Sequence, residues 1–309
     1  MRTEQQALKI SLVAVLVLSA LGIGFGLVSG SFAIMFDGVF SLVDAVMSVV
    51  SIMLAGLIAK SASNTLSRRT QDRFNMGFWH FEPLVLAVNA LMMISVTAYA
   101  LFQAISSLLT GGREINFGPA VGYAAVVVVI TLVIGVVEHR ANRRIQSALV
   151  AMDVKGWLMA GGVTGALLIA FVLGMFLEGT QAEWLMPYVD PAVLTVVAMV
   201  LLPVPFTVLR KSVAEIALVT PADLQQQAQE VAAAVAQQEG LPHYRAYASR
   251  QGRARTIDIV FYAEPGMAPR PLEDWDRIRD DVRARLDGHD PHSWITVSFT
   301  TKAPPTVPA

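Results

Sequence analysis

From Leu12 to Ala59 the chain is almost continuously apolar, broken by small residues and by two carboxylates, Asp37 and Asp44. A run of that length fits two membrane crossings, each needing about 20 residues to traverse the hydrocarbon. Asp37 and Asp44 stand seven residues apart, two helical turns, so they share one face of the second crossing. An ionisable side chain inside a span costs roughly 3 kcal/mol or more, so it faces the bundle interior and marks a substrate path. A structural cap or pair between helices is the alternative use of such groups.

Four more apolar runs follow. The predicted spans are 10–29, 33–59, 82–109, 119–138, 148–177 and 189–209. With 54% hydrophobic residues, 15% charged and a mean hydropathy of +0.55, the chain is too apolar for an ordinary soluble protein. Met1–Lys9 resembles the charged start of a signal peptide, but Ile10–Val28 is too long for one and a second span follows at once, so the first span reads as a retained helix.

Loop charge predicts orientation. Arg2, Lys9, Lys60, Arg68, Arg69, Arg73, Arg140, Arg143, Arg144, Arg210 and Lys211 fall on one side, and Arg113 alone falls on the other. The positive side is cytoplasmic, which puts both termini inside and agrees with an even number of spans. Gly22, Gly26 and Gly30 in the first span, and Gly161 and Gly165 in the fifth, recur every four residues and predict close helix packing.

Beyond about Val213 the composition is that of a soluble domain. A helix begins at Pro221-Ala-Asp223, with Leu224, Ala228, Val231 and Val235 on one face. Tyr244–Ser249 and Thr256–Tyr262 read as strands joined at Gln251-Gly252. A second amphipathic helix runs from Leu272 to Leu286, and Trp294–Lys302 alternates as a third strand. The expected fold class is therefore a polytopic α-helical membrane protein with six spans over residues 1–212. A C-terminal cytoplasmic α+β domain, αββαβ and ferredoxin-like, covers 213–302, and a disordered tail covers 303–309.

Several function classes drop out. There is no cysteine, so disulfides, thiolate metal sites and cysteine nucleophiles are excluded. Net charge is −1, which gives no basic field for nucleic acid. Neither a nucleophile–base pair nor a phosphate loop is visible, so the reading is not an enzyme, and no cofactor is expected.

Certain motifs resemble a known family. Ser29-Gly-Ser-Phe-Ala-Ile-Met-Phe-Asp-Gly-Val-Phe-Ser-Leu-Val-Asp44 is similar to the second helix of the cation diffusion facilitators, the cation efflux proteins. Phe74-Asn-Met-Gly77-Phe-Trp-His80-Phe-Glu82-Pro83-Leu resembles the approach to their third helix, where an Arg commonly stands at the position of His80. Val219-Thr-Pro221 before the soluble domain also fits. The resemblance covers residues 10–302. It implies a homodimer in a bacterial-type inner membrane that exports divalent metal ions, usually in exchange for protons.

The resemblance also implies a transport quartet, two ligands four residues apart on helix two and two on helix five. Here those positions are Phe40, Asp44, Gly156 and Ala160, of which only Asp44 binds metal. A displaced site is therefore expected, with Asp44 and Asp153 about 5 Å apart in height and sharing one ion. Asp37, about 10 Å from Asp44 along its helix, would serve exit or proton exchange. Asp153 could instead pair with Lys155, Arg143 or Arg144 at the rim, and Glu82 with loop arginines. Further candidate ligands are Asn89 in the third span, His80 at the cytoplasmic mouth, and His289 and His292 in the soluble domain.

Carboxylate, amide and carbonyl oxygens suit Mn²⁺, Fe²⁺ or Mg²⁺ better than Zn²⁺. The resemblance pulls toward zinc, cobalt and cadmium. Two functions compete: a proton-coupled divalent-cation exporter with alternating access, and a transport-inactive paralogue that scaffolds or regulates an active exporter.

Overall fold

A computed structural model describes residues 4–63, 65, 67–74, 77–145, 148–252, 254–286, 290 and 293–302. The expected tail, with His289 and His292, lies outside them. Six helices are long and apolar enough to cross a membrane, over Lys9–Ser29, Phe32–Ile58, Phe81–Leu109, Phe117–Arg144, Gly156–Met175 and Glu183–Ile216.

The helices are α1 (Glu4–Ser29), α2 (Phe32–Ala62), α3 (Arg68–Arg73), α4 (Phe81–Leu109), α5 (Phe117–Ile145), α6 (Ala148–Met175), α7 (Met186–Leu201) and α8 (Pro203–Ile216). Two expected loops are partly helical. Arg68–Arg73 forms the short α3 inside the polar 60–73 stretch. His139–Ile145 continues α5, because it holds no Gly or Pro and its Arg143 and Arg144 favour the negative end of the helix dipole. The last span is longer than expected and changes helix at Leu202, where Pro203 and Pro205 supply no backbone N–H.

Contacts divide the chain into two compact units, Met1–Val50 with Val88–Leu209, and Ser51–Ala87 with Arg210–Ala309. In the first unit the turns fall where glycine permits a positive φ, at Gly30 (76°), Gly111 (103°) and Gly112 (84°). Its core gathers Ile34, Phe36, Tyr123, Trp157, Leu167, Phe171 and Leu194.

The predicted glycine packing holds for α1. A Cβ on Gly22 would come within 2.7 Å of Gly38 Cα and 2.8 Å of Tyr123 Oη, and one on Gly26 within 2.7 Å of Met35 N. Ser19 Oγ donates to Gly38 O across the same contact at 2.7 Å. In α6 only half the expectation holds. A Cβ on Gly161 would come within 2.9 Å of Thr131 Oγ1 of α5, whereas one on Gly165 would touch nothing within 4 Å among the described residues. The reason is angular: the buried stripe of α6 runs Val150, Val154, Trp157, Gly161, Thr164, Leu167, Phe171, and Gly165 lies beside it.

The second unit carries the small sheet. Helix α9 (Ala222–Glu239) leads to strands β1 (His243–Gln251) and β2 (Ala254–Tyr262), then α10 (Leu272–Arg285) and β3 (Ser293–Thr300). Strand β1 pairs antiparallel with β2 (Tyr244 opposite Phe261), and β2 pairs parallel with β3 (Ile259 opposite Val297). Ile257, Ile259 and Phe261 alternate onto one face, which Leu224, Ala228, Val235, Ile278 and Val282 of the two helices cover. The sequence order αββαβ is the observed order.

Filling the α1–α2 contact tests the packing. Gly22→Leu should lower the thermal midpoint of the purified protein, as overpacking costs about 1–3 kcal/mol. Gly165→Leu, on an open face, should leave it unchanged. Equal effects of the two would contradict this description.

Candidate functional site

Helix α2 is held at its start by a carboxylate from another span. Asp190 of α7, itself 1% exposed, accepts from Ser31 Oγ, from Phe32 N at 3.0 Å and from Ala33 N at 3.3 Å. Ser31 Oγ in turn accepts from Ile34 N at 3.1 Å. These bonds satisfy the free N–H groups of the first turn, which hydrocarbon would otherwise leave unpaired. Arg113 frames the same end, its guanidinium 3.8 Å from the Phe32 ring centre and its N–H on Pro187 O at 2.7 Å. Asp190 is therefore a capping group.

One turn further along, Asp37 Oδ2 accepts from Tyr123 Oη of α5 at 3.1 Å. Asp37 lines a cavity of about 20 Å³ with Ala33, Phe36, Phe40, Val163, Leu167, Leu194, Val197 and Leu201. That volume is room for one water. Every lining side chain except Asp37 is apolar.

Val163 and Leu167 of α6 thus face Asp37 and Phe40 of α2. Gly156 and Ala160 stand seven residues before them, so they lie two turns along the same face, as Asp44 lies two turns beyond Asp37. The helices run antiparallel, and Asp44 therefore lies level with Gly156 and Ala160. Asp153 is one turn further. Asp44 and Asp153 are close enough for their charges to act on each other.

A third acidic group joins them that hydropathy and spacing do not reveal. Gly161 meets Thr131, and Gly135 lies 3.5 Å (as a Cβ) from Trp157 Cβ, so α5 and α6 descend side by side. Continuing that register brings Glu138 level with Asp153, and their carboxyls come within hydrogen-bonding reach. Glu138 is fully buried, at 0% exposure. Both of its oxygens, and Asp153 Oδ2, have no hydrogen-bond partner among the described residues. Two carboxyls facing each other without a donor require a shared proton or a cation between them. Lys155, one of the rim partners expected for Asp153, has its side chain outside the described residues. The one signal for Glu138 in the sequence is its place at the end of the fourth apolar run, where hydropathy puts the boundary of the span.

The other candidates are scattered. Asn89 Oδ1 is buried without a hydrogen-bond partner among the described residues. His80 is exposed, its ring 4.4 Å from that of Phe81. Glu82 lies against Gly252, where a Cβ would come within 2.7 Å of Glu82 Oε2. Among the described residues no three His, Cys, Asp or Glu side chains form a ready-made metal cluster.

Among the described residues, six helices long and apolar enough to cross a membrane define a multi-pass membrane protein. Residues 8–217 match the family model of the cation efflux transmembrane domain. The chain belongs to the cation efflux family, whose members move metal cations across a membrane. The match ends before the small sheet. No curated protein matches the chain.

Replacing one facing carboxyl by an amide supplies the missing donor. Glu138→Gln should raise the thermal midpoint of the metal-free protein, since a hydrogen bond to a charged group contributes about 1.5–3 kcal/mol. A lower midpoint would mean that Glu138 already has a donor.

Proposed function

We propose that the chain exports a divalent cation from the cytoplasm in exchange for protons, by alternating access, with Asp44, Asp153 and Glu138 as the cation-binding carboxylates. The observation that carries this reading is the buried Glu138–Asp153 pair, which among the described residues has no hydrogen-bond partner on three of its oxygens. A cation entering from the cytoplasm meets that pair first, displaces any proton it holds and passes on to Asp44. The reverse exchange releases it. Asp37, bonded to Tyr123 beside a one-water cavity, is suited to proton exchange or exit on the far side.

The ligand set is oxygen alone. That chemistry favours Mn²⁺ and Fe²⁺, then Mg²⁺, over zinc or cobalt, which prefer nitrogen and sulfur partners. With the basic loop ends inside, the carboxylate pair faces the cytoplasm and Asp37 the opposite side. We take the working unit to be a homodimer. The first 212 residues form its membrane domain, and residues 213–302 its cytoplasmic domain.

Mn²⁺ flux in proteoliposomes under a pH gradient tests the reading. Asp44→Asn should abolish Mn²⁺-dependent proton flux. Asp153→Asn should weaken Mn²⁺ binding by roughly tenfold or more, because ligand charge sets the affinity of such sites. Asp37→Asn should alter the pH dependence more than the affinity. Wild-type transport by both Asp44→Asn and Asp153→Asn would refute the site.

The inactive-scaffold alternative draws on Phe40, Gly156 and Ala160, which stand where ligands are implied and bind no metal. It predicts no flux of any divalent ion from the wild type.

Orientation is tested separately. A cysteine at exposed Ser67 should resist impermeant thiol reagents in intact cells, and one at exposed Asn116 should label. The opposite pattern would invert the topology.

A further inference from the structure

Asp37 and Asp44 occupy one face of α2; Phe40 and Ser41 lie between them, and of the two Phe40 lines the Asp37 cavity. On the Asp37 side the space is small and apolar. Phe40 lines it, its ring 5.6 Å from that of Phe36, with Leu167 and Leu194 behind at 2% and 1% exposure. On the Asp44 side the walls are open. Asp44, Gly156 and Ala160 are all exposed, and a Cβ on Gly156 would meet nothing within 4 Å among the described residues. An ion moving along this face thus passes from an accessible stretch to a nearly dry one at the height of a single aromatic ring.

We propose that Phe40 is the gate of the permeation path, an apolar barrier that separates the Asp44–Asp153–Glu138 site from the Asp37 cavity. The inference rests on the transport reading above. The physical basis is that a narrow apolar constriction excludes water, and a divalent cation does not cross a gap in which nothing replaces its hydration shell. The acidic groups on either side exchange an ion with one another only after the ring has moved. Phe40 can yield because it is half-buried, whereas Leu167 and Leu194, which line the same cavity, are locked in the core. Gly156, which has no side chain, leaves room for the ring to swing, since a Cβ there would meet nothing within 4 Å among the described residues.

The chain has no cysteine, so a single introduced thiol reports on the seal. In full-length protein reconstituted in vesicles, Leu167→Cys lies in the Asp37 cavity. Its reaction with a small cationic methanethiosulfonate, supplied on both sides, should be slow with Phe40 present. With Phe40→Ala or Phe40→Val it should be faster by about tenfold or more, a barrier change of about 1.4 kcal/mol. Phe40→Trp should keep it slow. Size-exclusion profiles identify variants that fold, and either small substitution suffices.

In the same vesicles Phe40→Ala should let Mn²⁺ run down its gradient without a pH gradient, above the wild-type rate. Labelling rates that stay equal whether Phe40 is kept or replaced by Phe40→Ala or Phe40→Val would overturn the gate. So would rapid labelling with Phe40 in place. Absence of any wild-type Mn²⁺ flux would instead defeat the transport reading, and the labelling rates would still decide whether Phe40 seals the cavity.

Discussion

The placement of α2 is the constraint on which the candidate site depends. Its first turn hangs on Asp190 of α7 through Ser31 Oγ and two backbone N–H groups. A turn or two on, Gly38 rests against Gly22 with no side chain between, and Ser19 bonds Gly38 O. Hydrogen bonds in hydrocarbon have no water to compete with them, and close backbone contact supplies packing where the hydrophobic effect between helices is lost. Together these contacts fix the height and rotation of α2. They thereby set Asp37 against Tyr123, Phe40 against Phe36, and Asp44 within electrostatic reach of Asp153.

The carboxylates of the membrane helices are used in different ways. Asp190 is saturated with donors, and its environment leaves it no free role. Asp37 accepts from Tyr123 and lies beside a space for one water. Glu138 and Asp153 have each other. A buried charge without a partner is strongly destabilising, so a pair of facing carboxyls is tolerable only with something positive between them. The number of donors around each acid thus separates the structural group from the ones suited to exchange.

Much of this was legible in the residues. The six spans followed from length and hydropathy, and the αββαβ order from the switch between periods of 3.6 and 2 residues. Gly30 and Gly111-Gly112 stand in the gaps between the predicted spans and adopt the positive φ that the turns there require. What the sequence hid was register and helix continuation. Glu138 sits where apolar residues give way to His139 and Arg140, so hydropathy ends the span there, while the helix itself runs on to Ile145. Only the side-by-side descent of α5 and α6, fixed by the Thr131–Gly161 contact, brings Glu138 to Asp153. Asp190 was unreadable for a similar reason. Its partners, Ser31 to Ala33, lie more than 150 residues away along the chain. Gly165 misled because four-residue spacing identifies a stripe of small residues without saying which neighbour it faces.

The departures from the implied quartet then form one pattern. An aromatic ring at position 40 cannot hold an ion, and it denies the ion a resting place at that height. Gly156 and Ala160 remove ligands from the facing helix at the same level. On the proposed reading the binding site lies one turn nearer the Arg-rich helix ends, where Asp153 on α6 and Glu138 on α5 supply oxygens that the quartet lacks. A shift of about 5 Å along α6 also changes the company of the ion, from two helices to three. Because α5 contributes a buried acid, a cation there neutralises repulsion that the empty protein must otherwise relieve with a proton. Binding and proton release are then consequences of a single electrostatic requirement, and the ring at Phe40 can stand between stations without also having to coordinate the ion.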